Sequence, residues 1–510
     1  MMRKRFTQAV TTVSGLTGLS RIFGFVRDQL LAALIGPGVV LDAWFAAFRI
    51  PNIFRRIFAE GAMSAAFVPL LQGKLNDHGP VEAKAFARAA FSLLFLILTP
   101  VIVALVVFMP WIMGLITGFK AGSISLTLAI LFGRIMLPYL MFMSLMALIG
   151  GVLDALGRFA PKAFAPTLLN IVLITVLFAI AWFDLAPGIW LSWATLFAGL
   201  AQLLIVWIPA ARLGWAPALR WPRGTGIFFT KMIPGLIANG SFQLSSLIVL
   251  SLASSIERDL SHLYFADRIY QLPLGLIGIA LNTVLLSSLS GLIAAGKDEA
   301  ARIQINRGLG LSLLLAIPIT LTCLFHGEFL FQGLFQVGQF TAADVQGAGH
   351  ALIGYALGIP AAVGQKVLQP AFFARHDTRT PMIYALLSVA VAVGLSYGLY
   401  PHWGLLGLGV AASIAAWVGF LALAVHLYRA QFFRPDWQFA VRLIPLCLAS
   451  GIMLFALQGI LGLFGDFANL GFAVRLPLTL GLIGLSAVLY FALVFILNRA
   501  LLNKDKSALF

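Results

Sequence analysis

The chain has 510 residues, of which 61% are hydrophobic and only 10% are charged, and its mean hydropathy is +0.99. Soluble domains carry about a quarter charged residues, so this composition excludes a soluble globular protein and indicates an integral membrane protein. The formal net charge of +16 would suit nucleic acid, but the basic residues are distributed among many short loops, and we predict no nucleic-acid partner.

Apolar runs recur along the whole chain, separated by short clusters of Gly, Pro and charged residues. We count about fourteen of them, and most are near the ~20 residues that a spanning helix needs. They lack the alternation of a β-barrel strand, so they predict an all-α membrane fold. The runs cover residues 10–35, 42–70, 90–116, 125–155, 163–183, 189–210, 228–255, 262–294, 309–332, 347–374, 381–399, 404–427, 440–464 and 474–498.

The basic residues between the runs fall mostly on one side of the membrane when the amino terminus is placed inside. Only Lys120, Arg258 and Arg475 fall in the opposite loops. The positive-inside rule therefore predicts that both termini are cytoplasmic and that the number of spans is even.

Several basic residues lie inside the runs, where lipid exposure costs about 2.5 to 3.5 kcal/mol each on insertion scales. Near a run end, as for Arg134 and Lys231, snorkelling to the headgroups is the simpler explanation. Five lie within the first two runs: Arg21, Arg27, Arg49, Arg55 and Arg56. For these we predict a water-filled cavity inside the helix bundle.

The second run also shows helical spacing among its polar residues. Three of them are separated by three and four positions and share one face: Arg49, Asn52 and Arg56. Arg55 points away from that face. Pro51, and Gly24 in the first run, predict that both helices are discontinuous. The pattern therefore leaves open whether Arg55 or Arg56 faces the cavity.

An internal repeat connects the two halves of the chain. "FAAFRI" at 45–50 returns as "YFADRI" at 264–269, and "GRFAP" ending at Pro161 returns as "TRTP" ending at Pro381, so the shift is 219 or 220 residues. Chance similarity is the alternative to a duplication. The shift carries six runs, which predicts two pseudo-symmetric six-helix lobes inserted in the same direction, at 1–225 and 226–435, and two additional helices at 436–510.

Four stretches carry a resemblance to a known family: "SRIFGFVRD" at 20–28, "DAWFAAFRIPNIFRRIFAEGAMSAAFVP" at 42–69, "ADRIYQLPLGLIGIAL" at 266–281 and "RHDTRTP" at 375–381. The chain resembles the MurJ (MviN) lipid II flippase family of the multidrug/oligosaccharidyl-lipid/polysaccharide exporter superfamily. The resemblance implies lobes around a central cationic cavity. It also implies transport of lipid II, the undecaprenyl-diphosphate-linked peptidoglycan precursor, from the cytoplasmic to the periplasmic leaflet of the bacterial inner membrane.

The resemblance also implies roles for particular residues. Arg27, Arg55 and Arg268 match arginines needed for transport. Other cavity positions are matched by Arg21, Asp28, Asp42, Asn52 and Glu60. Arg49 and Arg56 join this substrate-binding set through their spacing, because guanidinium groups bind phosphate oxygens through charge-assisted hydrogen bonds. We expect acidic neighbours to compete for the arginines in one state of the cycle. Asp42, which follows "GPGVVL", has the alternative role of capping its own helix.

The same resemblance sets the expected partners. The diphosphate headgroup would enter the cavity, while the polyprenyl tail would stay in the bilayer or in an apolar groove at the two additional helices; membrane lipids and the cell-wall synthesis machinery are further expected partners. We predict no cofactor and no metal. Some relatives hold sodium through carboxylates in the seventh, eleventh and twelfth helices, yet the segments 228–255, 381–399 and 404–427 contain no Asp or Glu. The membrane potential, at about 2.3 kcal/mol per charge per 100 mV, is the favoured energy source.

Three other functions compete with this one. An exporter of another polyprenyl-linked saccharide would share the bundle, whereas an exporter of cationic drugs would need carboxylates where this cavity concentrates arginine. A membrane enzyme acting on polyprenyl diphosphates would need clustered acids for Mg²⁺, and the acidic residues within the runs are scattered singly. A scaffold for cell-wall assembly would leave the arginines inside the runs unexplained. We therefore predict a transporter and no enzymatic activity.

Overall fold

The computed structural model describes residues 2–57, 63–219, 247–434, 437–464 and 467–501. Within these ranges the regular elements are helices and no strand occurs, which confirms the predicted all-α fold. The chain forms two compact units, Met1–Ser261 and His262–Phe510. The predicted domain boundaries at 225/226 and 435/436 lie outside the described residues, so the division into lobes stays a prediction.

Unit 1 is built from α1 (Met2–Leu34), α2 (Val39–Ile57), α3 (Met63–Val107), α4 (Met109–Ile116), α5 (Ile124–Met136), α6 (Tyr139–Ala155), α7 (Ala160–Phe183) and α8 (Pro187–Arg212). Gly79, with a φ of +80°, interrupts α3. Residues 247–253 are also helical. Aromatic packing fixes α2 in this unit, because Trp44 is 1% exposed and stacks on Phe48 at 5.1 Å, and Phe48 in turn contacts Tyr139 at 6.4 Å between ring centroids.

Unit 2 contains most of α9 (Asp259–Pro273), which continues through a π-helical turn (Leu274–Gly278) into α10 (Ile279–Ala294). The helices that follow are α11 (Asp298–Phe325), α12 (Gly327–Leu334), α13 (Ala342–Ala356), α14 (Ile359–Phe373), α15 (Arg379–Arg429), α16 (Trp437–Leu463) and α17 (Phe472–Leu501). Gly404, with a φ of +53°, divides α15 into two helices.

The helix order of unit 1 returns in unit 2. The short α4 and the broken pair α5 and α6 have counterparts in the short α12 and the broken pair α13 and α14. The helices α6 and α7 begin at Tyr139 and Ala160, and their counterparts α14 and α15 begin at Ile359 and Arg379. These starts agree, within a residue or two, with the shift of 219 or 220 residues in the sequence, which supports the internal repeat.

The chain is a multi-pass membrane protein. Among the described residues, 8 helical segments are long and apolar enough to cross a membrane, and α13 with α14, bent by 43°, makes up to 9. The described part of each predicted run is mostly helical; residues 58–62 of the second run and 228–246 of the seventh run lie outside the described residues. The helices α1, α2 and α9 are not among the counted spans; they carry the arginines of the predicted site.

The predicted breaks in the first two helices are wrong. α1 continues through Gly24, and α2 continues through Pro51. Gly24 lies opposite α7, since a Cβ there would be 3.5 Å from Asn170 Nδ2, so contact between the helices explains this glycine better than a bend. A proline removes one backbone donor, and the remaining hydrogen bonds carry α2 on to Ile57.

α13 and α15 cross at two glycines. A Cβ on Gly354 would lie 2.6 Å from Leu406 O, and a Cβ on Gly409 would lie 2.7 Å from Gly354 Cα. The Ser413 hydroxyl donates to Gly354 O at 2.6 Å across the same crossing. Small residues of this kind let helix backbones approach closely inside a membrane.

Gly409→Ala is expected to lower the thermal unfolding temperature of the purified protein by several degrees, because an added methyl forces the backbones apart at a cost of about 1–3 kcal/mol. Gly394→Ala on the same helix is the matched control, since a Cβ there meets nothing within 4 Å. Equal unfolding temperatures for the two variants, measured by differential scanning fluorimetry, would contradict the close crossing.

Candidate functional site

Arg27 is a buried arginine held by acceptors on two helices. Arg27 is 6% exposed and Asp28 is 2% exposed. Arg27 Nη2 and Nε donate to Asp28 Oδ1 at 2.6 and 3.1 Å, and Nη1 donates to Asn170 Oδ1 on α7 at 2.9 Å. Asn170 Nδ2 donates in turn to Ser20 O at 3.0 Å. Asp28 therefore occupies guanidinium donors that an anionic ligand would need.

Asn170 was not among the residues that the sequence singled out. It is 6% exposed and lies within the apolar run 163–183, so its amide is the polar signal that points to it. An amide in a spanning helix needs partners. Here the amide orients Arg27 through its oxygen and ties α7 to α1 through its nitrogen.

Asn52 and Arg55 form a second polar pair, on α2. Arg55 Nε and Nη2 donate to Asn52 Oδ1 at 3.1 and 3.0 Å, and both residues are half-buried. The guanidinium thus returns to Asn52, one helical turn earlier, although Arg55 was expected to point away from the face of Asn52. Arg49 is also half-buried on this helix. The side chain of Arg56, and Glu60 as a whole, lie outside the described residues, so the choice between Arg55 and Arg56 stays open.

Arg21 lies on α1, six positions before Arg27, and its side chain is exposed. The structure does not join it to the pair of Arg27 and Asp28 by a hydrogen bond among the described residues. Its membership of the binding site stays a prediction that rests on the family resemblance.

Asp42 caps a helix other than its own. It is 1% exposed, and its carboxylate accepts the Arg258 N–H at 2.7 Å and the Ser261 N–H at 2.9 Å, together with the Ser261 hydroxyl. Because Asp42 lies within the first turn of α2, after its start at Val39, the alternative that it caps its own helix is wrong. The carboxylate instead satisfies free donors at the start of α9, where a negative charge is favoured.

Arg268 lies on α9 in unit 2 and is half-buried. Its Nη2 donates to the Tyr264 hydroxyl, and its guanidinium carbon lies 4.6 Å from the centre of the Tyr264 ring. Tyr264 therefore positions this arginine from one helical turn earlier, a partner that the sequence analysis did not identify. Its signal is the pairing of an aromatic residue with an arginine at i and i+4.

The structure thus brings together Arg27 with Asp28, and Asn52 with Arg55, and it gives Asp42 a capping role. That these groups share one cavity with Arg268 stays a prediction. Among the described residues no group of three or more His, Cys, Asp and Glu side chains stands where it could hold a metal ion.

Comparisons with known proteins agree over most of the chain. The family described as Lipid II flippase MurJ matches residues 31–487. The probable lipid II flippase MurJ of Rhizobium meliloti (strain 1021) is 40% identical over 508 residues, which cover 96% of this chain and 94% of the relative. The lipid II flippase MurJ of Burkholderia cenocepacia is 33% identical over 460 residues, which cover 88% of this chain and 89% of the relative.

Two solved structures share the fold. A lipid II flippase MurJ in an inward closed conformation aligns with a TM-score of 0.81 and 25% identity, covering 96% of this chain and 99% of the other. A multidrug resistance MATE family transporter of the MOP superfamily, in an inward-facing conformation, aligns with a TM-score of 0.68 and 14% identity, covering 83% of this chain and 99% of the other. The similarity to the MATE family transporter shows a shared fold and nothing more.

Proposed function

Because the chain belongs to the Lipid II flippase MurJ family, we propose that it moves lipid II from the cytoplasmic to the periplasmic leaflet of the bacterial inner membrane. The distribution of basic residues between the spans supports an orientation with both termini in the cytoplasm. The substrate class is an amphiphile with an anionic diphosphate headgroup and a long polyprenyl tail.

The observation that carries this proposal is the buried guanidinium of Arg27. A charged group inside an apolar run of a membrane protein is costly when it faces lipid, and such groups mark substrate pathways. A guanidinium binds phosphate oxygens through paired, charge-assisted hydrogen bonds. Asp28 and Asn170 keep Arg27 oriented and partly neutralised when no substrate is bound. In our proposal a diphosphate oxygen replaces Asp28 as the acceptor, and Asp28 takes the arginine back when the headgroup leaves.

The other members of the proposed substrate-binding set share this chemistry. Asn52 accepts hydrogen bonds from Arg55, and the Tyr264 hydroxyl accepts one from Arg268, so each guanidinium is already oriented. The remaining proposed members are Arg21, Asp28, Asp42, Arg49, Arg56 and Glu60. Rocking of the two lobes would expose the set to each leaflet in turn, with the membrane potential as the favoured source of energy.

The polyprenyl tail requires an apolar path. The helices α16 and α17 pack on α11 through a buried cluster that contains Leu314, Met453 and Tyr490, and the Tyr490 hydroxyl donates to Leu314 O at 2.7 Å. Their outward faces are apolar, with Phe455 83% exposed and Val488 68% exposed. We propose that the tail stays in the bilayer beside these helices, because a polar cavity would not solvate it.

The proposal is tested in proteoliposomes that contain the purified protein and fluorescent lipid II. We expect the protein to move lipid II between leaflets faster than protein-free vesicles do, measured as the fraction of label reached by a membrane-impermeant quencher over time. A parallel arm with another undecaprenyl-diphosphate-linked saccharide measures the preference, and an arm with the potential collapsed by an ionophore tests the energy source. Flipping of lipid II no faster than in empty vesicles would refute the function, and an unchanged rate without a potential would refute that coupling.

A further inference from the structure

Lys366 is a charged residue within a span of unit 2, outside the predicted binding set. It lies in the middle of α14, the second half of the bent span that α13 and α14 form. In α14, every residue of which is described, Lys366 is the single exposed residue. The rest of this helix is buried or half-buried against its neighbours, so α14 is open to its surroundings at this lysine.

The surroundings of Lys366 carry polar groups. Gln369, one helical turn later on the same face of α14, is half-buried. On the neighbouring α10, Asn282 Nδ2 donates to Lys366 O at 3.0 Å. The exposed residues of α10 include hydroxyls at helical spacing, namely Thr283, Ser287 and Ser290. Ammonium, amide and hydroxyl groups are costly in contact with lipid chains, so this part of unit 2 is suited to water.

The stem of Lys366 lies on the π-helical turn that joins α9 to α10. A Cβ on Gly278, the last residue of that turn, would lie 3.1 Å from Lys366 Cγ and 3.4 Å from Lys366 Cβ. The lack of a side chain at Gly278 therefore leaves room for the lysine stem. The turn continues the helix of Arg268, so both cations are placed against one helical element.

The ammonium of Lys366 has no anionic partner in the described part of the chain. Lys162 shows the ordinary arrangement, since its Nζ lies 2.6 Å from Asp154 Oδ2. Among the described residues, Lys366 forms no such ion pair. Snorkelling to the lipid headgroups is expected of lysines near a helix end, whereas Lys366 is about two turns from either end of α14. A lysine at this depth is a candidate for contact with an anionic substrate.

Arg268 and Lys366 meet the same helical element at positions about three turns apart. Gly278 lies ten residues after Arg268, or about 15 Å along the helix axis. A diphosphate bound at Arg268 would therefore leave Lys366 available for another part of the headgroup. In lipid II the diphosphate carries a disaccharide and a pentapeptide, and a pentapeptide ends in a carboxylate.

We propose that Lys366 is a further substrate-binding residue, whose ammonium pairs with a carboxylate of the pentapeptide while arginines hold the diphosphate. This inference rests on the proposed function and adds recognition of the peptide to it. A lysine suits this task because its compact charge on a flexible stem can follow a flexible peptide, whereas the planar guanidinium matches phosphate oxygens in pairs.

Native mass spectrometry with two lipids tests the pairing: lipid II, and undecaprenyl diphosphate, which has no peptide. Lys366→Met keeps the length of the stem and removes the charge. It should weaken lipid II binding about tenfold, the loss expected for a hydrogen bond between charged groups, and leave the binding of undecaprenyl diphosphate unchanged. Lys366→Arg keeps the charge and should retain most of the lipid II binding. Lys297→Met removes an exposed lysine just before α11 and is the matched control, which should bind both lipids as wild type does.

Unchanged lipid II binding in Lys366→Met would overturn the proposal. Equal weakening of both lipids would overturn the assignment to the peptide, because it would place the ammonium at the diphosphate. A loss in Lys366→Arg as large as that in Lys366→Met would also contradict an ion pair. Failure of wild type to bind or flip lipid II would instead refute the proposed function.

Thiol labelling in proteoliposomes tests the hydrated position without reference to transport. In a background with Cys323→Ala and Cys447→Ala, Lys366→Cys should react with a membrane-impermeant maleimide, and lipid II should slow this reaction. The comparison is Phe455→Cys on α16, where the native side chain is 83% exposed on an apolar face. It should react at least about tenfold more slowly, because a thiol in apolar surroundings ionises poorly. Equal rates for the two cysteines would refute the hydrated position, and a fast reaction that lipid II does not slow would refute the contact with substrate.

Discussion

Arg27→Ala is expected to reduce lipid II flipping by at least a hundredfold, the largest effect of any single change considered. Breaking a buried charge pair costs about 3–5 kcal/mol, and every ~1.4 kcal/mol is a tenfold change in an equilibrium. The variant removes the donors proposed for the diphosphate and leaves Asp28 and Asn170 without their arginine. Flipping in proteoliposomes and binding of lipid II by native mass spectrometry measure the two consequences separately.

Arg134→Ala is the matched control for this experiment. Arg134 is an arginine within a counted span, but it is exposed and donates to a backbone carbonyl, Val106 O, at 3.3 Å. The Arg134→Ala variant should retain both the flipping and the binding of lipid II. The double variant Arg27→Ala/Asp28→Asn removes both charges, so it leaves no unpaired buried charge. If this double variant folds but does not bind lipid II, the loss reflects recognition and not misfolding. Equal binding of lipid II by wild type, Arg27→Ala and the double variant would refute the proposed site.

Asp42→Ala is expected to destabilise the protein by about 2–4 kcal/mol, because it leaves the buried N–H and hydroxyl of Ser261 and the part-buried N–H of Arg258 without their acceptor. The unfolding temperature of Asp42→Asn should lie between those of wild type and Asp42→Ala. The asparagine side chain keeps one acceptor oxygen, but its NH₂ group would face N–H and O–H donors. The thermal unfolding temperature in detergent is the measurement. We expect reduced flipping as well, because the start of α9 loses its cap.

Asp184→Ala controls for the loss of an aspartate in general. Asp184 is exposed at the end of α7, in a left-handed conformation with a φ of 49°, and it caps no other helix in the described part of the chain. Its replacement should cost only about 1 kcal/mol, because alanine is less favourable than aspartate in the left-handed region, and so it should lower the unfolding temperature less than Asp42→Ala does. If Asp42→Ala unfolded at the same temperature as Asp184→Ala, the interhelical cap would contribute nothing to stability.

The sequence predicted the helices well because a membrane allows few alternatives. Every backbone donor in lipid needs an internal acceptor, so a long apolar run has to be helical. The repeat also predicted matched element starts, such as Ala160 and Arg379, from two short strings. The breaks at Gly24 and Pro51 were predicted wrongly, because a spanning helix tolerates both residue types when its neighbours pack against them.

The contacts of the site were less predictable than its arginines. Arginines inside apolar runs stand out in the sequence because exposing them to lipid would be costly. The groups that orient these arginines carry no such signal. Asn170 lies 143 positions from Arg27, and Ser261 lies 219 positions from Asp42, so helix periodicity alone does not relate them. Tyr264 is closer to its partner, yet an aromatic residue four positions before an arginine is common in helices with no site. Side-chain partners depend on helix packing, which one sequence does not reveal.

Asp42 and Ser261 are separated by the same 219 residues that relate "FAAFRI" to "YFADRI", so the two partners of this hydrogen bond occupy equivalent positions of the internal repeat. An assembly of two identical copies would place the same residue on both sides. Two carboxylates would repel each other, and two serines would lack the charged acceptor for the helix start. Because the two positions lie in one chain, one of them can carry the acid while the other carries the donor.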